Sequence, residues 1–92
     1  MSHITRSTFH ISYEDEKGNL HREDGPAFQY TDSGSEYWSI HGKYHRKDGP
    51  AVILRRNPNE EPYSQKWYFD GKKIDCKTNE EFLQLMKMKA FW

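Results

Sequence analysis

One octapeptide occurs twice, and it limits the folds open to this chain more than any other feature. Residues 20–27 read Leu-His-Arg-Glu-Asp-Gly-Pro-Ala, and residues 44–51 read Tyr-His-Arg-Lys-Asp-Gly-Pro-Ala. Six of the eight positions agree at a separation of 24 residues, and Gly18 and Gly42 stand two residues before each copy. A second match joins Trp38-Ser39-Ile40-His41-Gly42-Lys43 to Trp67-Tyr68-Phe69-Asp70-Gly71-Lys72 at a separation of 29. The extra residues fall best in 57–62, Asn-Pro-Asn-Glu-Glu-Pro, a run of turn formers. Self-similarity at this spacing marks stacked supersecondary units. We read one domain over 1–92, with units at about 18–41 and 42–70 and a decayed unit with a helical cap over 71–92. In the decayed unit Asp75 stands where Arg46 would be and Lys77 where Asp48 would be, the divergence expected where an array ends.

Each unit carries the two-residue period of strands. Phe9, Ile11 and Tyr13 alternate with Thr8, His10 and Ser12. Short β-prone runs at 27–31 and 36–41 flank Asp32-Ser33-Gly34-Ser35, and the runs 51–55 and 65–70 form the next pair. His41-Gly42 and Asp70-Gly71 sit where a tight hairpin turn needs a positive φ. The tail changes period. Thr78 and Glu81 have capping-box spacing, and Phe82, Leu85, Met86 and Lys89 form a helical stripe with Leu83 and Ala90 beside it. The fold class expected is mainly β (α+β): an antiparallel meander of tandem β-hairpin repeats, five to eight short strands, with one C-terminal helix over roughly 78–90 packed on the sheet.

The repeated block reads as scaffold. Alternation puts Arg22 with Asp24, and Arg46 with Asp48, on one side of an extended segment. Arg–Asp pairing then fixes a bend at Gly25-Pro26 and Gly49-Pro50, where glycine tolerates unusual backbone angles and proline fixes its own. Glu23 and Lys47, opposite in sign at equivalent places, are left to solvent. His21 and His45 belong to the same structural set.

Composition narrows the function classes. Apolar residues make up 34 % and mean hydropathy is −1.14, whereas three Trp, six Tyr and five Phe raise the aromatic share to 15 %. Burial must come largely from rings, or from a second chain. Fourteen basic and fourteen acidic residues cancel, which argues against a DNA mimic and against a general nucleic-acid binder. The single Cys76 excludes an internal disulfide and a cysteine-based zinc set. No apolar run reaches membrane-spanning length and no apolar signal core follows Met1, so a reducing cytoplasm is the expected location.

No catalytic or metal-binding constellation emerges. His3, His10, His21, His41 and His45 lack zinc-ligand spacing, Cys76 lacks the signature of a nucleophile, and Gly42-Lys43 and Gly71-Lys72 are hairpin turns rather than phosphate loops. No cofactor is expected, and the chain is not expected to be an enzyme. Nucleic acid is the rival partner: in that reading Tyr30, Tyr37, Trp38, Trp67 and Tyr68 would form one aromatic sheet face, with Arg55, Arg56, Lys66, Lys72 and Lys73 for charge. Protein binding fits better, because Trp, Tyr and Arg anchor interfaces. The candidate contact residues are Tyr37, Trp38, Arg55, Arg56, Tyr63, Trp67, Tyr68, Phe91 and Trp92, with the 57–62 loop beside them. Two terminal rings, Phe91 and Trp92, call for docking on this chain or on another, and self-association would thicken a thin core.

The stretch from Trp38 to Ala51, the copy from Leu20 to Ala27 and the decayed copy from Trp67 to Lys73 resemble a repeat of the form W-Y-x-N-G-K-x-H-R-x-D-G-P-A. It occurs in small proteins of tailed bacteriophages and giant viruses and is similar to MORN-type β-hairpin repeats. The resemblance covers about 18–83, and Glu80-Glu81-Phe82 matches the family's closing helix. It implies a small phage accessory protein in the bacterial cytoplasm that binds and inhibits or modulates a host protein, such as a defence effector or toxin. Residues 57–62 and the first strand depart from the pattern and mark places for a private contact.

Overall fold

The structure, a computed structural model, describes residues 3–88. It is mainly β. The strands are β1 (His3–Arg6), β2 (His10–Glu14), β3 (Phe28–Tyr30), β4 (Glu36–Tyr37), β5 (Ser39–Ile40), β6 (Lys43–Tyr44), β7 (Val52–Leu54), β8 (Ser64–Phe69) and β9 (Lys72–Ile74); one helix follows, α1 (Asn79–Met88). Seven strands form an antiparallel sheet in the order β1-β2-β3-β4-β7-β8-β9, and β5 with β6 forms a small second sheet. The nine described strands exceed the five to eight expected. One reason is local. The run expected over 36–41 divides at Trp38, whose N–H bonds the Ala51 carbonyl at 2.7 Å while its carbonyl receives the His45 N–H at 3.0 Å. The chain leaves the large sheet there and enters the small one.

Alternation produces two unlike faces. Register carries one row straight across five strands: Ser12 faces Phe28, Phe28 faces Tyr37, Tyr37 faces Val52, and Val52 faces Lys66. The other face carries Ile11, Gln29, Glu36, Ile53 and Gln65, then Trp67 opposite Ile74. Helix α1 lies on this second face. Phe82 is 0 % exposed and packs with Trp67 and Ile74, and Phe69, Cys76, Leu85 and Met86 surround them. The Thr78 hydroxyl caps the helix by accepting the Glu81 N–H at 3.2 Å, and Glu80, Glu81 and Lys87 sit at the ends the helix dipole favours. Lys89 and Ala90, expected in the same stripe, lie outside the described residues.

Buried hydrophobics among the described residues are Ala27, Ala51, Val52, Ile53, Trp67, Ile74 and Phe82. The Cα atoms span 40 × 32 × 16 Å, so the sheet is a thin slab with the helix over one corner. No described helix is long and apolar enough to cross a membrane.

Candidate functional site

The two copies of the octapeptide superpose bond for bond. Arg22 Nε donates to Asp24 Oδ1 at 3.2 Å and Nη1 to the Pro26 carbonyl at 3.4 Å; Arg46 repeats both bonds, to Asp48 at 3.1 Å and to Pro50 at 3.3 Å. The Arg22 guanidinium lies 4.1 Å from the Tyr13 ring centre, and that of Arg46 lies 3.8 Å from the Trp38 ring centre. His21 Nδ1 accepts the His41 backbone N–H at 3.0 Å, as His45 Nδ1 accepts that of Asp70 at 2.9 Å. A backbone N–H can only donate, so each neutral imidazole carries its proton on Nε2. Glu23 and Lys47 are exposed. The turns agree as well: His41 (φ 47°) and Asp70 (φ 52°) precede Gly42 (φ 83°) and Gly71 (φ 82°).

Gly25 and Gly49 have a different reason from the one expected. Neither is in the left-handed region. A Cβ on Gly25 would stand 2.7 Å from Arg22 Cζ, and one on Gly49 would stand 2.9 Å from Arg46 Cζ. Glycine leaves room for the guanidinium rather than for an unusual backbone angle.

Residues 67–75 carry a ring without that cation. Trp67 occupies the place of Tyr13 and Trp38, but Asp75 replaces the arginine. Helix α1 covers the ring instead: Trp67 is 3 % exposed and its Nε1–H bonds Asn79 Oδ1 at 3.1 Å. This corrects the expectation that Trp67 belongs to a contact surface. Nor do Tyr30, Tyr37, Trp38, Trp67 and Tyr68 make the single aromatic face that the nucleic-acid reading needs. Adjacent residues point to opposite faces, so Tyr37 parts from Trp38, and Tyr68 from Trp67. Trp38 is half-buried under Arg46, and its Nε1–H bonds Glu36 Oε1 at 3.2 Å.

The rings that do share a face form a continuous band. His10 stacks on Phe28 at 4.9 Å between ring centres. Phe28 meets Tyr30 at 5.0 Å and Tyr37 at 6.0 Å, both edge to face, and Tyr30 meets Tyr37 at 6.3 Å in the same manner. Tyr37 continues to Tyr44 at 6.2 Å and Tyr44 to Tyr68 at 5.1 Å. Tyr30 is 40 % exposed and Tyr44 37 %, so the band is open to solvent at both of these rings. Burial, with the neighbouring Tyr30, Tyr44 and Tyr63, pushes the Tyr37 hydroxyl above its ordinary value. Phe28 and Tyr44 were not singled out from sequence; the alternation Phe28–Tyr30 was the available signal.

The remaining candidates lie apart. Arg55 turns inward, donating from Nη1 to Glu36 Oε2 at 2.9 Å and to the Gly34 carbonyl at 2.8 Å. Arg56 lies 5.4 Å over the Tyr63 ring, which is largely exposed. The 57–62 loop leans on the preceding hairpin, where a Cβ on Gly34 would meet Pro58 Cα at 2.9 Å. Phe91 and Trp92 lie outside the described residues.

Asp15 is the one buried charged residue among the described residues. Its Oδ1 accepts the N–H of Lys17 and of Asn19, each at 2.9 Å, and its Oδ2 receives His41 Nδ1 at 2.8 Å. The His41 bond foremost, with those backbone donors, holds the carboxyl far below the ordinary carboxylate range. Cys76 has the opposite character: burial, then Glu81 and Asp75, raise its thiol above the ordinary value, which disfavours the thiolate. His21 and Asp24 line one shallow open depression with Ile4, Tyr13, Arg22 and Glu23, and the Asp24 carboxylate there is held by Arg22. No three His, Cys, Asp or Glu side chains among the described residues gather as metal ligands.

Comparison with known proteins returned no matching family model, no matching curated protein and no matching solved structure.

Proposed function

We propose that this chain is a non-enzymatic protein-binding module, built as a tandem array of β-hairpin repeats and working through its aromatic sheet face. The observation that carries this reading is the open band from His10 through Phe28, Tyr30, Tyr37 and Tyr44 to Tyr68. A contiguous, solvent-facing ring surface on a rigid sheet is the kind of patch that protein interfaces are built on. The polar residues of the repeat are occupied with one another, which leaves the rings as the free chemistry. Nucleic acid is served less well. Base stacking needs open ring faces, and here Phe28, Tyr30 and Tyr37 present edges to one another's faces. Arg55, expected to meet phosphate, is neutralised by Glu36. The resemblance to viral repeat proteins extends the proposal to the target: a protein of the bacterial host, such as a defence effector or toxin, that is inhibited or modulated by binding.

The test is affinity capture of the tagged chain from bacterial lysate, with and without nuclease, beside a Tyr30→Ser/Tyr44→Ser variant whose circular dichroism matches the parent. A stoichiometric protein retained by the parent and lost by the variant is the expected result. Recovery of nucleic acid alone, or a protein bound equally by both, would overturn the reading.

A further inference from the structure

We infer that the joints between units are proton-sensitive: a neutral imidazole holds each one, His21 the first and His45 the second, and protonation on Nδ1 releases the turn that the imidazole holds. This is a device of the fold itself, and it stands whether or not the aromatic band binds a protein.

The joint is built twice from the same parts. His21 donates its own backbone N–H to the Tyr13 carbonyl at 2.9 Å, and its Nδ1 accepts the His41 N–H at 3.0 Å. His45 donates its backbone N–H to the Trp38 carbonyl at 3.0 Å, and its Nδ1 accepts the Asp70 N–H at 2.9 Å. Backbone bonds flank each imidazole in the same order. Gly42 N–H reaches the Leu20 carbonyl at 2.8 Å and Arg22 N–H the Ser39 carbonyl at 3.0 Å; Gly71 N–H reaches the Tyr44 carbonyl at 2.9 Å and Arg46 N–H the Tyr68 carbonyl at 3.2 Å. The residue whose N–H the imidazole takes is the left-handed one in both cases, His41 (φ 47°) and Asp70 (φ 52°). Residues with a Cβ resist that region, so the turn leans on its external bonds.

Only a neutral ring nitrogen accepts. A proton on Nδ1 turns the acceptor into a donor and sets it against a backbone N–H, which is also a donor. Both imidazoles are half-buried, within reach of solvent protons. The acids around the joints already have partners: Asp24 is held by Arg22, Asp48 by Arg46 and Asp15 by His41, and Asp70 lies 4.0 Å from Lys43. Glu23 and Lys47 are exposed, and Lys72 faces Phe69 from β9. The ring neighbours add no acceptor. His21 lies 4.1 Å from the His41 ring, whose Nδ1 is committed to Asp15, and His45 lies 4.5 Å from Phe69. Histidine exchanges its proton between about pH 8 and pH 5, so the hold is present at the upper end and is lost as pH falls through that range.

The second joint lies at the end of the aromatic band. The bonds flanking His45 use the carbonyls of Tyr44 and Tyr68, the two residues whose rings meet at 5.1 Å. Acidification therefore loosens Tyr44 from Tyr68. Phe28 and Tyr37 are paired directly in the sheet ladder and keep their contact.

Nuclear magnetic resonance on the whole chain, titrated from about pH 8 to about pH 5, tests this. At the upper end the imidazole nitrogen shifts should show the Nε2–H tautomer at His21 and His45. On acidification the amide protection of His41 should fall about tenfold in step with the His21 titration, and that of Asp70 likewise with His45, after correction for intrinsic exchange. The Tyr44–Tyr68 cross-peaks should weaken together with Asp70. In His45→Asn the side-chain oxygen stands where Nδ1 stood and does not titrate, so Asp70 should keep its protection throughout while His41 still loses its own. A proton on Nδ1 of His21 or His45 at the upper end would overturn the inference. So would protection that does not change across the titration, or Asp70 released equally in His45→Asn. Should that variant not fold, the tautomers and the titration of the parent decide the matter by themselves.

Discussion

Arg46 shows how much of this protein rests on single side chains. Its guanidinium meets a carboxylate, a carbonyl and a ring face at once, and Gly49 gives it room. A lysine keeps the charge but lacks the planar fork that makes all three contacts together. Arg46→Lys should therefore lower stability by about 1–2 kcal/mol, read as a shift in urea midpoint, whereas Lys47→Ala beside it should stay within about 0.5 kcal/mol. Asp15 makes a pH-dependent contribution. Its folded-state pKa lies below the ordinary value of 3.8, so the unfolded chain takes up the proton first. The stabilisation is present above 3.8 and is lost as pH falls from there toward the folded value. The stability gap between the parent and Asp15→Asn should thus be widest at neutral pH and narrow on acidification. A constant gap in urea titrations would show that the Asp15–His41 contact is not what the carboxyl contributes. Of the two, only Arg46 was legible in the sequence. The Arg–Asp spacing was legible in the repeat, but the Asp15–His41 bond joins residues 26 apart and had no local signature.

Among the elements, α1 supplies Phe82, the largest fully buried side chain of the described residues. Its cap and its inward stripe were legible because both follow fixed local spacings, and Phe82, Leu85 and Met86 do turn inward. What the helix lies on was not legible. Trp67 has no arginine over its ring, and the helix covers it through Phe82 and Asn79. Phe82→Ala should cost about 3–5 kcal/mol. That is a large share of the roughly 5–15 kcal/mol of a typical domain. Loss of helical circular dichroism together with a red shift in tryptophan emission is the expected record. An unshifted emission spectrum would mean that the helix does not shield Trp67. The strands β2 to β5, β7 and β8 fall on runs read as β-prone in the sequence, with ends displaced by a residue or two, because pairing partners rather than propensity decide where a ladder stops; β1, β6 and β9 were not assigned.

For the whole molecule, thinness is the governing property. Seven strands pair edge to edge, yet helix cover is confined to Trp67, Ile74 and their neighbours on one face. The hydrogen-bonded blocks hold the slab in shape without a deep core: each Arg is clamped over a ring, and each His over a turn. The aromatic band is left on the other side. A sheet of this kind is a platform, and the proposed function concerns what that platform meets.

The sequence by itself determined the repeat, the turn positions, the Arg–Asp clamps and the helix cap. All of these are spacings of a few residues, set by backbone geometry whatever the rest of the chain does. Tertiary structure alone decided which ring of each neighbouring pair faces the band, which tryptophan the helix covers, and which histidine reaches Asp15. Those outcomes depend on register between strands distant in sequence, where a shift of one residue exchanges the two faces of the sheet.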